Sequence, residues 1–162
     1  TGTKIFNWLS TYLGNPTFIN LKITSTLFTI LFLFMFTIGG STGIILGNSS
    51  IDLSLHDTYY IPGHFHFVLS LGAIISIFSS ILYFSSYIFS THTIILSSTS
   101  YLSLLHLILI FIGVLFTFIP IHFLGFNTMP RRIPDFPDSF HSCNFLSSIG
   151  SGITLLSFII LN

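Results

Sequence analysis

Between Thr58 and Pro130 the chain contains no Asp, Glu, Lys or Arg. A helix needs about 20 largely apolar residues to cross a bilayer, so this uncharged run has room for two membrane spans and a connection. A water-soluble helical bundle would carry charged and polar residues along its outer face. The run cannot supply such a face, and it therefore restricts the fold to helices that are surrounded by lipid or by other membrane helices.

The rest of the chain extends this pattern. Its 162 residues include four Lys or Arg and four Asp or Glu, and the mean hydropathy is +0.93. Apolar runs predict membrane spans at Lys22–Gly47, Tyr60–Ser90, Ser97–Leu124 and Cys143–Leu161. We therefore expect an all-α, polytopic transmembrane helical bundle with four full spans. The segment Thr1–Leu13 is interpreted as the end of a fifth helix, stopped by Gly14-Asn15-Pro16. We expect residues 1–162 to form one transmembrane unit. The lipid bilayer is a predicted partner, and nucleic acid is not.

Composition and chain ends add a weaker indication of origin. The chain has 20 Phe but no Glu or Gln, and residues with A+T-rich codons dominate, which suggests an organellar gene. The start lacks a basic region followed by a short apolar core, so it does not resemble a secretory signal. It also lacks an initiator Met, which favours processing, joining at the RNA level, an unusual start or an excerpt of a longer chain.

The pair His64 and His66 is the most specific chemical feature of the apolar run. On a helix, residues two apart are separated by about 200°, so the two imidazoles point to nearly opposite sides. They cannot easily share one metal ion, but each could hold a different redox or metal centre. The alternative is two packed histidines that make hydrogen bonds within the bundle. Because polar groups inside a membrane are costly and are usually functional, the two-centre interpretation is favoured.

Threading the predicted spans in order brings two polar loops to the same side of the membrane. The loops Asn48–Asp57 and Gly125–His141 contain six of the eight charged residues, together with His56 and His141. They predict one polar cap above the ends of the helices, close to the histidine pair. We interpret this cap as part of a functional site.

Within the cap, each group has a functional and a structural interpretation. Arg131 and Arg132 suit carboxylates or phosphates of an anionic cofactor, but they could equally anchor the chain at the interface or pair with Asp135 and Asp138. His56 and Asp57 could bind a divalent cation. A carboxylate in the first turn of the following helix would give the same pattern at Asp57.

Lys4 lies apart from the cap, in the predicted end of a helix. At helical spacing it shares a face with Thr1. A lysine in a membrane helix either extends to the interface or serves a proton or ion path, and the residues alone leave both interpretations open.

Together these motifs resemble subunit I of the haem–copper oxidases, on the branch that oxidises cytochrome c. The segment Leu55–Ser70, LHDTYYIPGHFHFVLS, is similar to the signature of the tenth of the twelve helices in that family. The other segments that carry the resemblance, in collinear order, are Thr1–Trp8, Phe36–Gly43, Asn48–Asp52, Pro120–Gly125, Met129–Asp138 and Ser147–Ser151. The chain is thus similar to the C-terminal part of subunit I, from the eighth helix to the twelfth.

The resemblance implies two haem ligands with different roles. His64 would be the axial ligand of the high-spin haem a3, where oxygen is reduced, and His66 would be one axial ligand of the low-spin haem a. Arg131 and Arg132 would bind the haem propionates, and Asp52 would lie near them. These roles agree with the opposite directions expected for the two imidazoles.

The resemblance also implies a magnesium site and a proton path. His56 and Asp57 would be the magnesium ligands from this subunit, at the contact with the copper-bearing subunit II. Thr1 and Lys4 would belong to the K proton pathway. The implied partners are an N-terminal fragment of subunit I, subunit II, subunit III, accessory subunits and cytochrome c, in the mitochondrial inner membrane.

Several expected groups of the family have no counterpart in this chain. The second haem a ligand, the three histidines of copper B, the tyrosine linked to one of them and the D pathway belong to the first eight helices. The four spare histidines do not form the adjacent pair of a copper site, and we interpret His106 and His122 as structural or as supports of a ligand; the other two are His92 and His141. Three positions depart from the family pattern, since Phe67 replaces a usual Tyr, Ile121 replaces a usual Gln, and Pro62 precedes the ligands.

Three functions remain at this point. The first is a catalytic fragment that, with an N-terminal partner, couples oxygen reduction to proton pumping, with cytochrome c or a quinol as the electron donor. The second is a non-catalytic structural subunit derived from a duplicate. The third is a cytochrome b-like quinol oxidoreductase, whose haem ligands lie many residues apart on one face. Retention of both histidines, both arginines and Lys4 favours the first.

Overall fold

The computed structural model describes residues 1–14, 23–88 and 95–161. The helices in these ranges are α1 (Gly2–Leu13), α2 (Ile23–Leu46), α3 (Ser49–Leu55), α4 (Tyr60–His66), α5 (Ile74–Ile88), α6 (Ile95–Phe126) and α7 (His141–Leu161). A π-helical segment, Phe67–Ala73, joins α4 to α5 without a break, and a short 3-10 turn, Asp138–Phe140, precedes α7. Within the described ranges there is no strand, only one isolated bridge between Thr58 and Pro130.

Four stretches are long and apolar enough to cross a membrane, and they confirm the predicted all-α polytopic architecture. They are Thr24–Leu46, Tyr60–Phe84, Tyr101–Phe126 and Asp138–Ile160. The boundaries agree with the sequence prediction within a few residues, although α6 starts at Ile95 rather than at Ser97. Lys22 and His92, at the edges of two predicted spans, lie outside the described residues.

The buried core lies where α2, the π segment, α5 and α6 meet. It consists of aliphatic and aromatic side chains from all four elements: Phe28, Met35, Phe67, Leu71, Ile75, Ile110 and Val114. Many other large apolar side chains are exposed, among them Leu53, Ile44 and Leu13. This distribution is expected of helices whose outer faces contact lipid or neighbouring subunits rather than water.

Small residues allow α6 and α7 to pack at close range. A Cβ atom on Gly113 would lie 2.7 Å from the Thr154 methyl carbon, and one on Gly150 would lie 2.5 Å from the Thr117 hydroxyl oxygen. In lipid, where apolar burial gives little net gain, such close contact between helices is a main source of association energy. The two glycines thus set the distance between α6 and α7.

Hydroxyl groups hold α2 against α5. The buried Ser25 hydroxyl donates to the Ser79 carbonyl over 2.8 Å, and the Ser79 hydroxyl donates back to the Ser25 carbonyl over 2.9 Å. Thr29 adds a hydroxyl contact of 2.7 Å to Ser79. Interhelical hydrogen bonds of this kind contribute roughly 0.6 kcal/mol each in membranes, so the pair fixes the register of α2 and α5.

Candidate functional site

The predicted histidine pair lies in α4, and its two imidazoles contact different helices. His64 is hydrogen-bonded to residues of α2, whereas the His66 ring stacks on Phe118 of α6. Both side chains are half-buried. The structure thus has the two rings on separate sides of one helix, as the spacing of two residues predicts.

His64 is oriented by two oxygen atoms of α2. Its Nδ1 lies 2.9 Å from the Gly39 carbonyl oxygen and 2.9 Å from the Thr42 hydroxyl oxygen. The ring occupies a recess left by Gly43, where a Cβ atom would come within 2.7 Å of the His64 Cε1. Because Nδ1 is directed at these oxygens, it carries the proton in neutral imidazole, and Nε2 is the nitrogen left to bind a metal.

His66 is oriented within its own helix. Its Nδ1–H donates to the Pro62 carbonyl over 2.8 Å, and its ring stacks on Phe118 with a centroid distance of 5.4 Å and an interplanar angle of 15°. Among the described residues, Nε2 of neither His64 nor His66 takes part in a hydrogen bond. A metal-binding histidine typically donates its second N–H to a carbonyl or carboxylate, which fixes the tautomer and the direction of the ring. Both residues meet that condition.

The helix changes its winding directly after His66. Phe67–Ala73 forms a π-helical turn, although the sequence showed no signal for it. Such segments occur often at functional sites because they rotate the following residues relative to those before. Here the π segment places Phe67 and Leu71 in the buried core.

The two polar loops form one cap, as predicted from the threading of the spans. The Tyr59 N–H donates to the Met129 carbonyl over 3.0 Å, and the Arg131 N–H donates to the Asp57 carbonyl over 2.9 Å. Thr58 and Pro130 form the bridge between these two bonds. The loop that follows α6 is thereby attached to the residues immediately before α4.

An ion pair between Arg131 and Asp57 reinforces this attachment. Arg131 Nε donates to Asp57 Oδ1 over 2.8 Å, and Nη2 lies 2.6 Å from the same oxygen. The hydrogen bond and charge of Arg131 hold the pKa of Asp57 below its ordinary value, against a smaller opposing effect of desolvation. The sequence left pairing of the arginines with Asp135 and Asp138 open as one alternative, and the structure instead pairs Arg131 with Asp57. The two carboxylates lie further along the same loop, whereas the backbone bonds bring Arg131 to Asp57.

The placement of Asp57 in the first turn of the next helix was wrong. Asp57 has φ of 54°, and α4 begins only at Tyr60. Backbone pairing with Arg131 holds the residue in this left-handed conformation, which Asp adopts more readily than most residues. Its carboxylate therefore faces Arg131 and His56 rather than the N-terminus of α4.

His56 lies between two carboxylates. Its Nε2 is 3.6 Å from Asp57 Oδ2, and its Nδ1 is 3.8 Å from Asp52 Oδ2, on α3. In the described part of the chain, no group of three or more His, Cys, Asp or Glu side chains is arranged to hold a metal ion. His56 Nε2 and Asp57 Oδ2 could supply two ligands to one cation, because Asp57 Oδ1 is already bonded to Arg131. Further ligands would have to be water or groups from elsewhere.

The remaining predicted residues are exposed in this structure. Arg132 has φ of 62° and makes no ion pair with any described residue. Thr1 and Lys4 lie near the start of α1, whose face with Trp8 packs on Phe32 at 5.9 Å between ring centroids. The guanidinium and the ammonium are thus accessible to groups outside the chain.

The two histidines interpreted as structural or as supports of a ligand are both hydrogen-bonded within the bundle. His106 is fully buried, with Nδ1–H donating to the Ser157 carbonyl over 2.8 Å. His122 donates from Nδ1 to the Phe118 carbonyl over 2.8 Å and lies against Gly63, next to His64. Sequence spacing gave no signal for the contact of His122 with α4, because the two elements are about 60 residues apart. His141, at the start of α7, is exposed.

Comparison with known proteins agrees with this arrangement. The family model described as cytochrome c and quinol oxidase polypeptide I matches residues 1–153. The chain is similar to cytochrome c oxidase subunit 1 of Plasmodium chabaudi, with 51% identity over 99% of this chain and 32% of the relative. The subunit of Eremothecium gossypii is 46% identical over 97% of this chain and 28% of its own length. The chain thus spans about a third of the length of the curated relatives that it matches.

Proposed function

The chain belongs to the cytochrome c and quinol oxidase polypeptide I family, and from that membership we propose that it forms the C-terminal part of the catalytic subunit of a cytochrome c oxidase. The observation that carries the proposal is the pair of tethered imidazoles. His64 and His66 each direct Nδ1 at an oxygen atom and leave Nε2 without a described partner, on separate sides of α4. A helix of this kind can hold two haems and separate them.

In this proposal His64 would bind the iron of haem a3 and His66 would bind the iron of haem a. The recess at Gly43 and the hydrogen bonds to Gly39 and Thr42 fit a ligand whose direction must be fixed. When bound, the haems and copper B supply the electron transfer and oxygen chemistry. The protein holds the two iron ligands on one rigid helix, so that their relative position varies little.

The cap would supply positive charge and a metal site above these ligands. Arg132 is exposed and unpaired within the described residues, so it is available to a haem propionate, and the Nη1 group of Arg131 is the part of that side chain not bonded to Asp57. Asp52 would lie near the propionates. His56 and Asp57 would hold magnesium, with the remaining ligands from water or from the copper-bearing subunit II.

Substitution of Arg131 tests the magnesium site. In Arg131→Gln, Asp57 loses the group that orients its carboxylate, and loss of such an outer partner typically weakens metal binding by roughly 10- to 100-fold. We expect Mn²⁺, substituted for magnesium and followed by electron paramagnetic resonance, to bind the assembled complex more weakly by that factor. Arg132→Gln is the matched control, because Arg132 makes no described ion pair, and it should bind Mn²⁺ as the unmodified complex does. Equal affinity in both variants would contradict a metal site at Asp57.

Lys4 and Thr1 would carry protons towards the oxygen-reducing centre. Lys4 is the one basic residue described on α1, and its ammonium can bind and release a proton, whereas methionine of similar length cannot. We expect Lys4→Met to slow oxygen reduction on the order of 100-fold while leaving the haem content unchanged. Lys4→Arg, which keeps the charge but does not release its proton, should be slowed as well. Oxygen consumption and haem content of the purified complex are the measurements, and full activity of Lys4→Met would exclude this role.

The rest of the site must come from other polypeptide segments. We propose that the segment corresponding to the other two thirds of the relatives' length supplies the second haem a ligand, the copper B histidines and the D pathway. Subunit II, subunit III, accessory subunits and cytochrome c would be the further partners. The proposed location is the mitochondrial inner membrane, with an organelle-encoded gene.

The electron donor is tested by oxygen consumption of the complex that contains this chain. The complex is purified through a tag on the chain and supplied with either reduced cytochrome c or a soluble quinol. We expect cyanide-sensitive oxygen uptake with cytochrome c and little with the quinol. Uptake only with the quinol would place the chain on the quinol branch of the family, and no uptake with either donor would contradict a catalytic function.

A further inference from the structure

His122 lies in a notch of the helix that carries His64 and His66. The notch is made by Gly63, where a Cβ atom would lie 2.9 Å from both Cε1 and Nδ1 of the His122 ring. The ring also meets Tyr60 and Phe67 edge to face, at centroid distances of 5.1 and 5.2 Å. Tyr60, Gly63 and Phe67 share one face of the helix at spacings of three and four, and His122 contacts all of them.

This face lies between the directions of the two candidate ligands. With about 100° per residue, Gly63 lies about 100° around the helix from His64 and about 60° from His66. A side chain packed against Gly63 therefore contacts the sector of α4 that lies between the His64 and His66 side chains. Nothing larger than hydrogen at position 63 leaves room for His122 in its present place.

The His122 ring cannot easily move out of the notch. Its Nδ1–H donates to the carbonyl of Phe118, one turn earlier in α6, over 2.8 Å. The Phe118 ring in turn stacks on His66. Two side chains one turn apart on α6 thus contact α4 at Gly63 and at His66.

A histidine at position 122 destabilises the fold relative to a phenylalanine unless its hydrogen bond to Phe118 has a function. Nε2 of His122 is buried and has no hydrogen-bond partner among the described residues, and a buried polar atom without a partner destabilises the fold. A phenyl ring would fill the same space without this cost. What imidazole adds is the bond to the Phe118 carbonyl, which fixes the rotamer of the ring.

We propose that His122 is a positioning residue. Seated at Gly63 and tied to Phe118, it sets the distance of α4 from α6 and thereby the directions in which His64 and His66 present Nε2. The inference rests on the proposed function, because the quantity that it controls is the geometry of two haem ligands.

The test compares three variants in the assembled oxidase complex. Gly63→Ala places a methyl group against the His122 ring, and His122→Phe keeps a ring in the notch but removes the bond to Phe118. The double variant Gly63→Ala with His122→Ala removes the clash by vacating the notch. Gly40→Ala, on α2, is the matched control, because a Cβ atom there has no described atom within 4 Å.

We expect Gly63→Ala and His122→Phe to retain both haems but to shift their optical bands and midpoint potentials. Oxygen turnover should fall about 10- to 100-fold, as expected of displaced catalytic groups. The double variant has room for the methyl group but lacks His122, so its turnover should stay at least as low as that of His122→Phe, and Gly40→Ala should match the unmodified complex. Should Gly63→Ala fail to assemble, His122→Phe and the double variant still decide the question.

Unchanged bands and potentials in His122→Phe, or full turnover in the double variant, would overturn the positioning role. This outcome is distinct from failure of the proposed function, which would appear as absence of haem from the unmodified complex. A merely structural role would lower the amount of complex in all variants without moving the potentials of the complex that remains.

Discussion

Replacing either histidine of α4 is expected to remove one haem signal and leave the other. In His66→Ala the absorption of reduced haem a should disappear, because the alanine side chain has no atom that can bind iron. In His64→Ala the complex should lose carbon monoxide binding, since His64 is the proposed ligand of haem a3, the haem that would react with gases. Both variants should lose oxygen reduction by at least the order of 1,000-fold, the range in which removal of a central catalytic group falls.

The two variants serve as controls for each other. Each variant leaves the hydrogen bonds of the remaining histidine intact, because His64 is bonded to Gly39 and Thr42 whereas His66 is bonded to Pro62. His141→Ala, at an exposed histidine at the start of α7 that has no proposed cofactor or proton role, should retain the full spectrum and activity. Unchanged spectra in both His64→Ala and His66→Ala would refute the ligand assignment.

Gly125→Ala is expected to prevent assembly of the complex. A Cβ atom on Gly125 would overlap the backbone nitrogen and the Cα and Cβ atoms of Tyr60, at the start of α4. Backbone atoms cannot move aside as a flexible side chain can, so α4 and the end of α6 would have to separate. Overpacking of this kind typically costs about 1–3 kcal/mol, and more where backbone is the obstacle. We expect at least a tenfold loss of assembled complex, measured by native gel electrophoresis of detergent extracts.

A glycine of α7 provides the control for this prediction. A Cβ atom on Gly152 has no described atom within 4 Å, so Gly152→Ala should assemble at the normal level. Normal assembly of Gly125→Ala would show that α4 and α6 do not pack as described at Tyr60, and the position of the cap would then need revision.

The sequence predicted those features that depend on local spacing. The lengths of the apolar runs located all four spans. The spacing of two residues between His64 and His66 predicted that their imidazoles lie on separate sides of α4. Alternation of the spans across the membrane placed the two polar loops together. These predictions held because each follows from helix geometry and from the thickness of the bilayer, without knowledge of how the helices pack.

The features that sequence did not predict depend on contacts between distant segments. The ion pair of Arg131 with Asp57 requires the backbone bonds between two loops, and the charge pattern alone offered only the nearer Asp135 and Asp138 as possible partners. The contact of His122 with Gly63 depends on how α6 packs against α4. Glycine can occur in a membrane helix for many reasons, and only the packed structure shows which neighbouring side chain occupies the space beside it.

The roles of the cap and of Lys4 rest on the family and on chemistry rather than on packing. His56 and Asp57 offer two ligand atoms 3.6 Å apart, and additional ligands have to come from outside the described chain. Lys4 is exposed, so the proposed proton path would also need groups from segments that cover α1 in an assembled oxidase. The Mn²⁺ and Lys4→Met experiments therefore test the assembly as much as the chain.

The proposed function requires this chain to carry one ligand for each of two haems, of which only one has an open coordination position. Carbon monoxide titration of the reduced complex, purified through this chain, measures that difference directly. Carbon monoxide should bind to half of the haem, because the haem proposed for His64 would have an open position and the haem proposed for His66 would not. Binding to all of the haem, binding to none of it, or an absence of haem from the complex would contradict the assignment of His64 and His66 to two different haems.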